Sequence, residues 1–368
     1  MPATDPLRPT RLDLSGAGVR RARALPSGEV GAGTAPWAAN DGVMAAWIEL
    51  LASLGLDPHA LWPAAVALDF EGDQWTAVEP SRDELRALYG IDVQELHVWR
   101  PLAEHAIEHL AAGRALMVEV DAFWLPVAID AGDAAYRRNH AKTTIVLNEI
   151  DLDARRIAFF DGSGYFEAHG DDVTHLLGLE DDASELEAIA DWRGTRVAQV
   201  GAAAVALDEG RLPPRVRFVR ADRRVARSTE ELQMLALHHL DNHLAFRPAT
   251  NPLRRFATRI ADDLPLLREY ATAAYDDWAA CTVRHFGAAF ELAARGLAWQ
   301  DESSDSPLRN AARAFGQLAR DASTLDQKLG RAVSSTKNAD TNKLLEAMAQ
   351  CWDDGMAALD AACRSRGR

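Results

Sequence analysis

The apolar positions between residues 115 and 172 follow the pattern of β-strands. Leu116–Phe123 is an apolar, β-branched run, and Lys142–Ile150 and Arg155–Phe160 predict two further strands. The connection between the last two strands, residues 151–154, reads Asp-Leu-Asp-Ala and is rich in turn formers. These two strands are therefore predicted to pair as an antiparallel hairpin.

Helical spacing precedes this region. Apolar residues recur at helical intervals in Gly42–Leu54, which predicts a buried helix that begins at Asn40-Asp41-Gly42. Ser81-Arg82-Asp83-Glu84 is a capping box that opens a short helix closed by Gly90. A third helix is predicted over about Pro101–Ala112, directly before the first strand.

The pattern becomes helical again after the hairpin. Asp171–Leu177 and Ala183–Trp192 predict short acidic helices, whereas Val197–Leu207 fits either a strand or a buried helix. From the capping box at Ser228 onward nearly all residues have helical spacing, with breaks at residues 248–252, 301–307 and 334–340. This spacing predicts a bundle of roughly five helices.

Together these elements predict an α+β protein in three parts. Residues 1–36 form a poorly ordered leader, residues 37–227 an α+β domain with an antiparallel sheet and an N-terminal buried helix, and residues 228–368 an all-α helical bundle domain. The leader contains no apolar run of the length that a signal peptide or membrane segment needs. With 48% hydrophobic residues and ten tryptophans, a chain of 368 residues suits two domains with real cores.

Net charge and cysteine content exclude some functions and indicate the cellular compartment of the protein. The formal net charge of −15 argues against nucleic-acid binding, which needs a basic surface. The three cysteines, Cys281, Cys351 and Cys363, all lie in the last quarter of the chain and lack the spacing of a disulfide or metal motif. We therefore expect reduced thiols and a cytoplasmic protein that does not enter a membrane.

His140 and Asp161 are the strongest catalytic candidates. His140 precedes one strand of the predicted hairpin and Asp161 ends the other, so both lie at the same edge of an antiparallel sheet. A histidine oriented by a carboxylate is two thirds of a nucleophilic triad. The simpler interpretation is a histidine hydrogen-bonded to the backbone at a strand edge, beside a turn aspartate.

Two other polar clusters give no metal prediction. The carboxylates of Asp69-Phe-Glu-Gly-Asp73 do not have the spacing of an EF-hand loop and are expected to lie in a solvated loop. His238, His239 and His243 together do not form one metal-binding face of a helix. We predict no metal and no organic cofactor.

Several segments resemble, in order, the bacterial family catalogued as domain of unknown function eighteen-thirty-nine, over about residues 37–175. They are WIELLASLGLDP, DFEGDQWT, LYGIDVQEL, WRPLAEH, VEVDAFWLP, HAKTTI and the hairpin with ARRIAFFDGSGYFE. That family is more distantly similar to acyltransferases of the butirosin-biosynthesis protein H type. The resemblance implies a papain-like fold and transfer of an aminoacyl unit from the phosphopantetheine thioester of a carrier protein to an amine.

The resemblance also implies roles for residues. The family has an Asn-Cys pair before the WIE segment, where a papain-like nucleophile begins the first buried helix. This chain has Asn40-Asp41 there and no cysteine before Cys281, so the nucleophile is missing. His140 and Asp161 correspond to the histidine and acid, and Asp41 is a further catalytic candidate, with a helix N-cap as the simpler alternative. The predicted substrate-binding residues are Asn40, Trp47, Asp121, Tyr136 and Lys142.

An arginine-rich stretch at residues 211–227 stands out in so acidic a chain. Carrier proteins are acidic, and surface charge mainly accelerates their docking. The stretch therefore predicts a carrier-docking surface, while pairing with the protein's own acids is the alternative. The predicted docking residues are Arg215, Arg217, Arg220, Arg223 and Arg224.

Three functions follow. The first is an aminoacyl or acyl transferase in which the amine attacks the thioester directly, with His140 as base and Asp161 orienting it. The second is an inactive papain-like pseudoenzyme that binds a carrier protein or aminoacyl group, and the third is a papain-like hydrolase. The expected partners are a carrier protein and an amino acid:carrier-protein ligase, and the sequence leaves a homodimer open.

Overall fold

The computed structural model describes residues 21–23, 42–99, 101–126, 136–137, 142–162, 164–179, 215–335 and 340–366. Its main sheet has the strand order β4-β9-β5-β6-β7-β8, and β1 also pairs with β6. All of these pairs are antiparallel. The strands are β1 (Arg21–Arg23), β4 (Asp92–Leu96), β5 (Ala115–Asp121), β6 (Lys142–Asp151), β7 (Arg156–Asp161), β8 (Gly164–His169) and β9 (Val216–Arg220), with a separate small hairpin of β2 (Phe70–Glu71) and β3 (Gln74–Trp75).

The predicted hairpin is confirmed as β6 and β7. Val146 lies opposite Phe160 and Leu147 opposite Phe159, after which the register shifts so that Glu149 faces Ala158. The extra residue is Asn148, which makes a β-bulge in β6. Phe160 and Phe159 alternate between the two faces of the sheet, as the period of two requires.

Four strands of the main sheet were not predicted: β1, β4, β8 and β9. β9 lies between β4 and β5, and its Val216 and Val219 are buried although Arg217 lies between them and Arg220 follows. Those arginines hid the strand's alternation in the sequence. Arg21–Arg23, predicted to belong to a disordered leader, forms a short strand beside β6, and the other leader residues lie outside the described part.

Helices cover both faces of the sheet. α1 (Gly42–Ser53) packs against β6 and β7 on the face that carries Phe160. α3 (Leu102–Ala111) and α4 (Asp171–Leu177) contribute to the core on the face that carries Phe159. α2 (Arg82–Tyr89) has the predicted capping box and ends at Gly90, whose φ of 68° is the left-handed conformation that glycine tolerates.

The rest of the chain is a helical region, as predicted. Its helices are α5 (Thr229–Ala245), α6 (Pro252–Ala279), α7 (His285–Gln300), α8 (Pro307–Ser334) and α9 (Asn342–Ser365). A π-helical turn, Ala280–Arg284, joins α6 to α7 without a break. The predicted α+β fold class is therefore confirmed, with an antiparallel sheet first and a helical region after it.

One hydrophobic core runs through both parts. The 3₁₀ helix Pro58–Ala67, which follows α1, packs against α5 and α7. Gly296 on α7 lies so close to Trp62 that a Cβ there would come within 2.1 Å of the Trp62 Cβ. The predicted division at residue 227 thus separates two kinds of architecture that share a core.

Candidate functional site

Several predicted site residues lie at one edge of the main sheet, where β5 and β7 end and β6 begins. Asp121, the last residue of β5, lies opposite Lys142, the first residue of β6. Asp161 is the last residue of β7, which runs antiparallel to β6. The Asp121 carboxylate accepts a hydrogen bond from the Phe123 N–H at 3.0 Å and caps the short turn of 3₁₀ helix at Ala122–Trp124. We call this region the sheet edge.

Lys142 has an acidic partner on the neighbouring strand. Its Nζ lies 3.2 Å from an Oε1 of Glu119, and its side chain is 74% exposed. Such an exposed ion pair contributes little to stability. The ammonium group is therefore accessible from solvent and can exchange Glu119 for a bound anionic or carbonyl group.

Tyr136 and Arg137 are tied to α4 through one carboxylate. The Tyr136 hydroxyl donates to Asp172 at 2.6 Å, and an Arg137 Nη2 donates to the same side chain at 2.7 Å. Asp172 is buried, and burial followed by the bond to Asp172 raises the pKa of Tyr136. Arg137 has a φ of 56°, unusual for a residue with a Cβ, and its guanidinium lies over the Trp124 ring. These contacts hold the connection between β5 and β6 beside the sheet edge.

The register of β6 and β7 shows how far Asp161 lies from the start of β6. With Val146 opposite Phe160, Asp161 falls opposite Ile145. Lys142 is three residues further along β6, roughly 10 Å at the usual strand rise. His140, Asn40 and Asp41 lie outside the described residues, so the pairing of His140 with Asp161 stays a prediction.

Glu49 is a buried carboxyl that the sequence analysis did not single out. It lies on α1 at 6% exposure, and its Oε2 has no hydrogen-bond partner. Burial first, and the charge of Asp161 second, raise the pKa of Glu49 to about 7. The only sequence signal was a single carboxylate within the otherwise apolar run of α1.

Trp47, predicted to bind substrate, lies in the core instead. Its exposure is 1%, and it packs with the residues that join α1 to the sheet and the helical region. This burial indicates that Trp47 stabilises the packing of α1. We therefore no longer expect it to contact a substrate.

The arginine-rich stretch divides into buried and exposed members. Arg217 has an exposure of 7% and pairs with Glu79, which favours a structural role for it over contact with a docking partner. Arg220 pairs with Asp92, which also binds Arg86 at 2.6 Å. Arg223 and Arg224 are exposed, and Arg215 lies 4.0 Å from Glu95. Pairing with the protein's own acids therefore accounts for part of the stretch.

A second polar cluster joins the two parts of the molecule. Glu84 on α2 lies 2.6 Å from Nε2 of His243 and 3.9 Å from Nδ1 of His239, both on α5. Burial opposes ionisation of Glu84, but the bonds from His243 and the Ser81 N–H hold its pKa at about 2. Among the described residues no group of three or more His, Cys, Asp or Glu side chains is arranged to hold a metal ion.

The fold and the sheet edge define the structural class of this protein. It is an α+β protein whose antiparallel sheet is covered by helices and has acidic and basic side chains at one edge, and its helical region packs into the same hydrophobic core as the sheet. Two family models match successive parts of the chain. Residues 27–191 match the DUF1839 N-terminal domain, and residues 229–361 match the DUF1839 C-terminal domain. The chain belongs to the DUF1839 family. No curated protein matches it. Within the described residues, no helix has both the length and the apolar character needed to cross a membrane.

Proposed function

We propose that this protein is an aminoacyl or acyl transferase that acts on a carrier-protein thioester without a cysteine nucleophile. One observation carries the proposal: Asp121 lies opposite Lys142 where β5 ends and β6 begins, and Asp161 ends β7 at the same edge of the sheet. Their chemistry suits an amine and a thioester, because carboxylates bind ammonium groups and Lys142 offers a cation to a carbonyl or phosphate oxygen. His140 follows the anchored Tyr136–Arg137 segment and is the proposed base, with Asp161 orienting it.

The positions of the cysteines support direct attack by the amine. Cys281 lies on the π-helical turn, and Cys351 and Cys363 lie on α9, all in the helical region. Burial raises the pKa of Cys351, which disfavours the thiolate that a nucleophile needs. Holding amine and thioester together supplies rate enhancement without a covalent intermediate, since effective molarities reach ~10⁵ M or more.

A second candidate function is a pseudoenzyme that binds a carrier protein or its aminoacyl group. The lack of any cysteine in the first 280 residues favours it, because the family resemblance places the nucleophile at position 41. Such a protein would keep the sheet edge as a binding surface.

The proposed carrier-docking surface is the exposed part of the arginine-rich stretch together with α2. Arg86 and Arg220 share Asp92, so two positive charges meet one carboxylate there. Arg223 and Arg224 are exposed nearby, since the Arg223 carbonyl abuts Gly90 at the end of α2. An acidic carrier would be attracted to this surface with an ionic-strength-dependent on-rate.

Mass spectrometry of a transfer assay tests the function. Purified protein, an aminoacylated carrier protein and a panel of amines are incubated, beside His140→Ala and Asp161→Asn. We expect loss of the thioester with formation of an amide, and loss of that activity in both variants. Carrier binding without turnover would instead support the pseudoenzyme, and neither binding nor turnover would contradict both.

Charge reversal tests the docking surface. Arg223→Glu with Arg224→Glu should weaken carrier binding and flatten its dependence on salt. The matched control, Arg331→Glu with Arg364→Glu, makes the same change in net charge at exposed positions of α8 and α9. Equal weakening by both double variants would mean that only net charge matters.

A further inference from the structure

The contact between α2 and α5 contains two histidines beside a single carboxylate. Glu84 on α2 lies 2.6 Å from Nε2 of His243 and 3.9 Å from Nδ1 of His239. The two histidines are four residues apart on α5, so they lie on the same face of that helix. We call this arrangement the α2–α5 joint, since it links the part of the molecule that contains the sheet to the helical region.

Both oxygens of Glu84 are already bonded. Its Oε1 lies within hydrogen-bond distance of His243, and its Oε2 accepts a hydrogen bond from the Ser81 N–H at 2.7 Å. Burial opposes ionisation of Glu84, yet the bonds from His243 and Ser81 hold its pKa at about 2. The carboxylate therefore stays charged in mild acid. It can neutralise one imidazolium, and the distances assign it to His243.

The position of His239 suits only the neutral form of its ring. Its exposure is 7%, and among the described residues its Nε2 has no hydrogen-bond partner. A neutral imidazole with its proton on Nδ1 leaves Nε2 as a bare acceptor, which costs less than an unpaired charge. Protonation would make Nε2 a buried donor without an acceptor, and would add a charge beside a carboxylate that already serves His243.

The elements packed against α5 bring no second anion to His239 among their described residues. The 3₁₀ helix Pro58–Ala67 has one titratable residue, His59, whose Nδ1 lies 2.7 Å from Asp57. On α2, the buried Tyr89 donates its hydroxyl to the Asp57 carbonyl oxygen at 2.7 Å. The other charged residues of α2 are all exposed: Arg82, Asp83 and Arg86.

The other titratable residues of α5 do not compensate a charge on His239 either. Asp241 is paired with Arg366 at 3.3 Å, and Glu230 and Glu231 are exposed at the start of the helix. The exposed His238 has its ring centroid 5.7 Å from that of His239 and gains positive charge in acid. Burial lowers the pKa of His239 below 6.5, although Glu84 acts in the opposite direction.

We propose that the α2–α5 joint is a pH-sensitive switch, closed while His239 is neutral and opened locally when His239 takes up a proton from solvent. Opening moves the imidazolium into water, where it is solvated. The sign follows from linkage: a histidine whose pKa is lowered by folding stabilises the closed state above pH 6.5, and that stabilisation is lost as pH falls. The switch does not depend on the proposed function. Because Arg86 on α2 belongs to the proposed docking surface, a pH dependence of carrier binding is the one consequence that does.

Hydrogen exchange measured by mass spectrometry tests the switch in the full-length protein. Peptides from α2 and α5 are compared at pH 7.5 and pH 5, after correction for the intrinsic effect of pH on amide exchange. We expect their protection to fall about tenfold or more at pH 5, because the open form gains up to about tenfold per pH unit below the unfolded-state pKa. Peptides from α8 should keep their protection.

His239→Phe replaces the ring by one of similar size that cannot titrate, and should abolish the loss of protection in α2 and α5. The matched control is His238→Phe, which changes the exposed neighbour on the same helix and should leave the loss unchanged. NMR of the histidine rings in the wild type gives a measurement that does not depend on whether His239→Phe folds. We expect the ring of His239 to be neutral at pH 6.5.

Four results would overturn the proposal: equal protection of α2 and α5 at the two pH values, the same loss in His239→Phe, a parallel loss in α8, or a His239 ring that is mostly protonated at pH 6.5. The third result would mean that acid destabilises the whole molecule rather than the α2–α5 joint. If the switch behaves as expected but the carrier does not bind at either pH, the switch stands and the proposed docking surface fails.

Discussion

Two glutamates with equal exposure, Glu49 and Glu149, illustrate how neighbours decide the behaviour of a buried charge. Arg156 compensates Glu149, whereas the Oε2 of Glu49 has no hydrogen-bond donor. The sequence alone does not distinguish the two glutamates, because no local pattern shows which of them gains a cation after folding. The difference is nevertheless measurable as a dependence of stability on pH.

The Glu49→Gln variant should become more stable relative to the wild type as pH rises. The pKa of Glu49 is raised from 4.5 to about 7, so the folded state holds the proton more tightly than the unfolded state. Stability from this group is present below pH 4.5 and is lost as pH rises to about 7. The free-energy difference between variant and wild type should therefore shift in favour of Gln by on the order of 3 kcal/mol between these limits. Urea unfolding at pH 5 and pH 8 measures it, and parallel pH profiles would contradict it.

Arg217 should be costly to truncate, unlike its exposed neighbours. Arg217 is buried and its partner Glu79 is partly exposed, so Arg217→Ala leaves that carboxylate without its cation and is expected to cost about 3 kcal/mol. Arg224→Ala, at an exposed position, should stay within about 0.5 kcal/mol of the wild type. Urea unfolding of both variants compares them, and equal effects would show that the Arg217–Glu79 pair is not structural.

At the scale of elements, the helices were easier to predict from the sequence than some of the strands. α2 carries its capping box and its terminal glycine within ten residues, and both act locally. β9 could not be predicted, because two arginines interrupt its apolar residues and only the neighbouring strands β4 and β5 explain why such a segment is buried. The helical spacing of apolar residues predicted long helices such as α7 and α8. That spacing does not explain the glycines inside these helices.

Gly296 and Gly316 should respond in opposite ways to alanine, although both lie inside helices. A Cβ at Gly296 would lie 2.1 Å from the Trp62 Cβ, so Gly296→Ala should destabilise the protein by about 1–3 kcal/mol or more. At Gly316 the nearest atom is 3.6 Å from the added Cβ, and the substitution should stabilise by about 0.5–1 kcal/mol. Thermal unfolding distinguishes them; a neutral Gly296→Ala would mean that α7 can move away from Trp62.

At the scale of the whole molecule, the sheet and the helical region behave as one unit. The shared core contains residues from α1, the 3₁₀ helix and the bundle helices, and polar contacts reinforce it. Arg255 on α6 pairs with Asp69, and Nε2 of His285 lies 2.9 Å from the Thr76 carbonyl oxygen. Calorimetry should therefore give a single unfolding transition with equal calorimetric and van't Hoff enthalpies. Two resolved transitions would show that the helical region folds independently.

Glu84, which links α2 to α5, should make the stability of the protein decrease at acidic pH. Its pKa is lowered from 4.5 to about 2, so its contribution is present above pH 4.5 and is lost as pH falls toward 2. Glu84→Gln should therefore cost roughly 3 kcal/mol at pH 6 and much less at pH 3. Urea unfolding at the two pH values tests this. The control Asp83→Asn changes a side chain on the same helix that is 92% exposed, and should have little effect at either pH.

The sequence by itself determined the fold class, the hairpin, the capped helices and the breaks between the long helices, because each follows from local periodicity and from capping or turn residues. It also pointed to Asp121, Tyr136, Lys142 and Asp161 as residues of one site, through the hairpin and the family resemblance.

Only the tertiary structure decided the rest, since it depends on contacts between distant segments. It buried Arg217 against Glu79 and Trp47 in the core, inserted β9 into the sheet, and buried Glu49 with no hydrogen bond to its Oε2. Each of these depends on what surrounds a side chain after folding, because burial and neighbouring charge set its free energy. No periodicity within one segment contains that information.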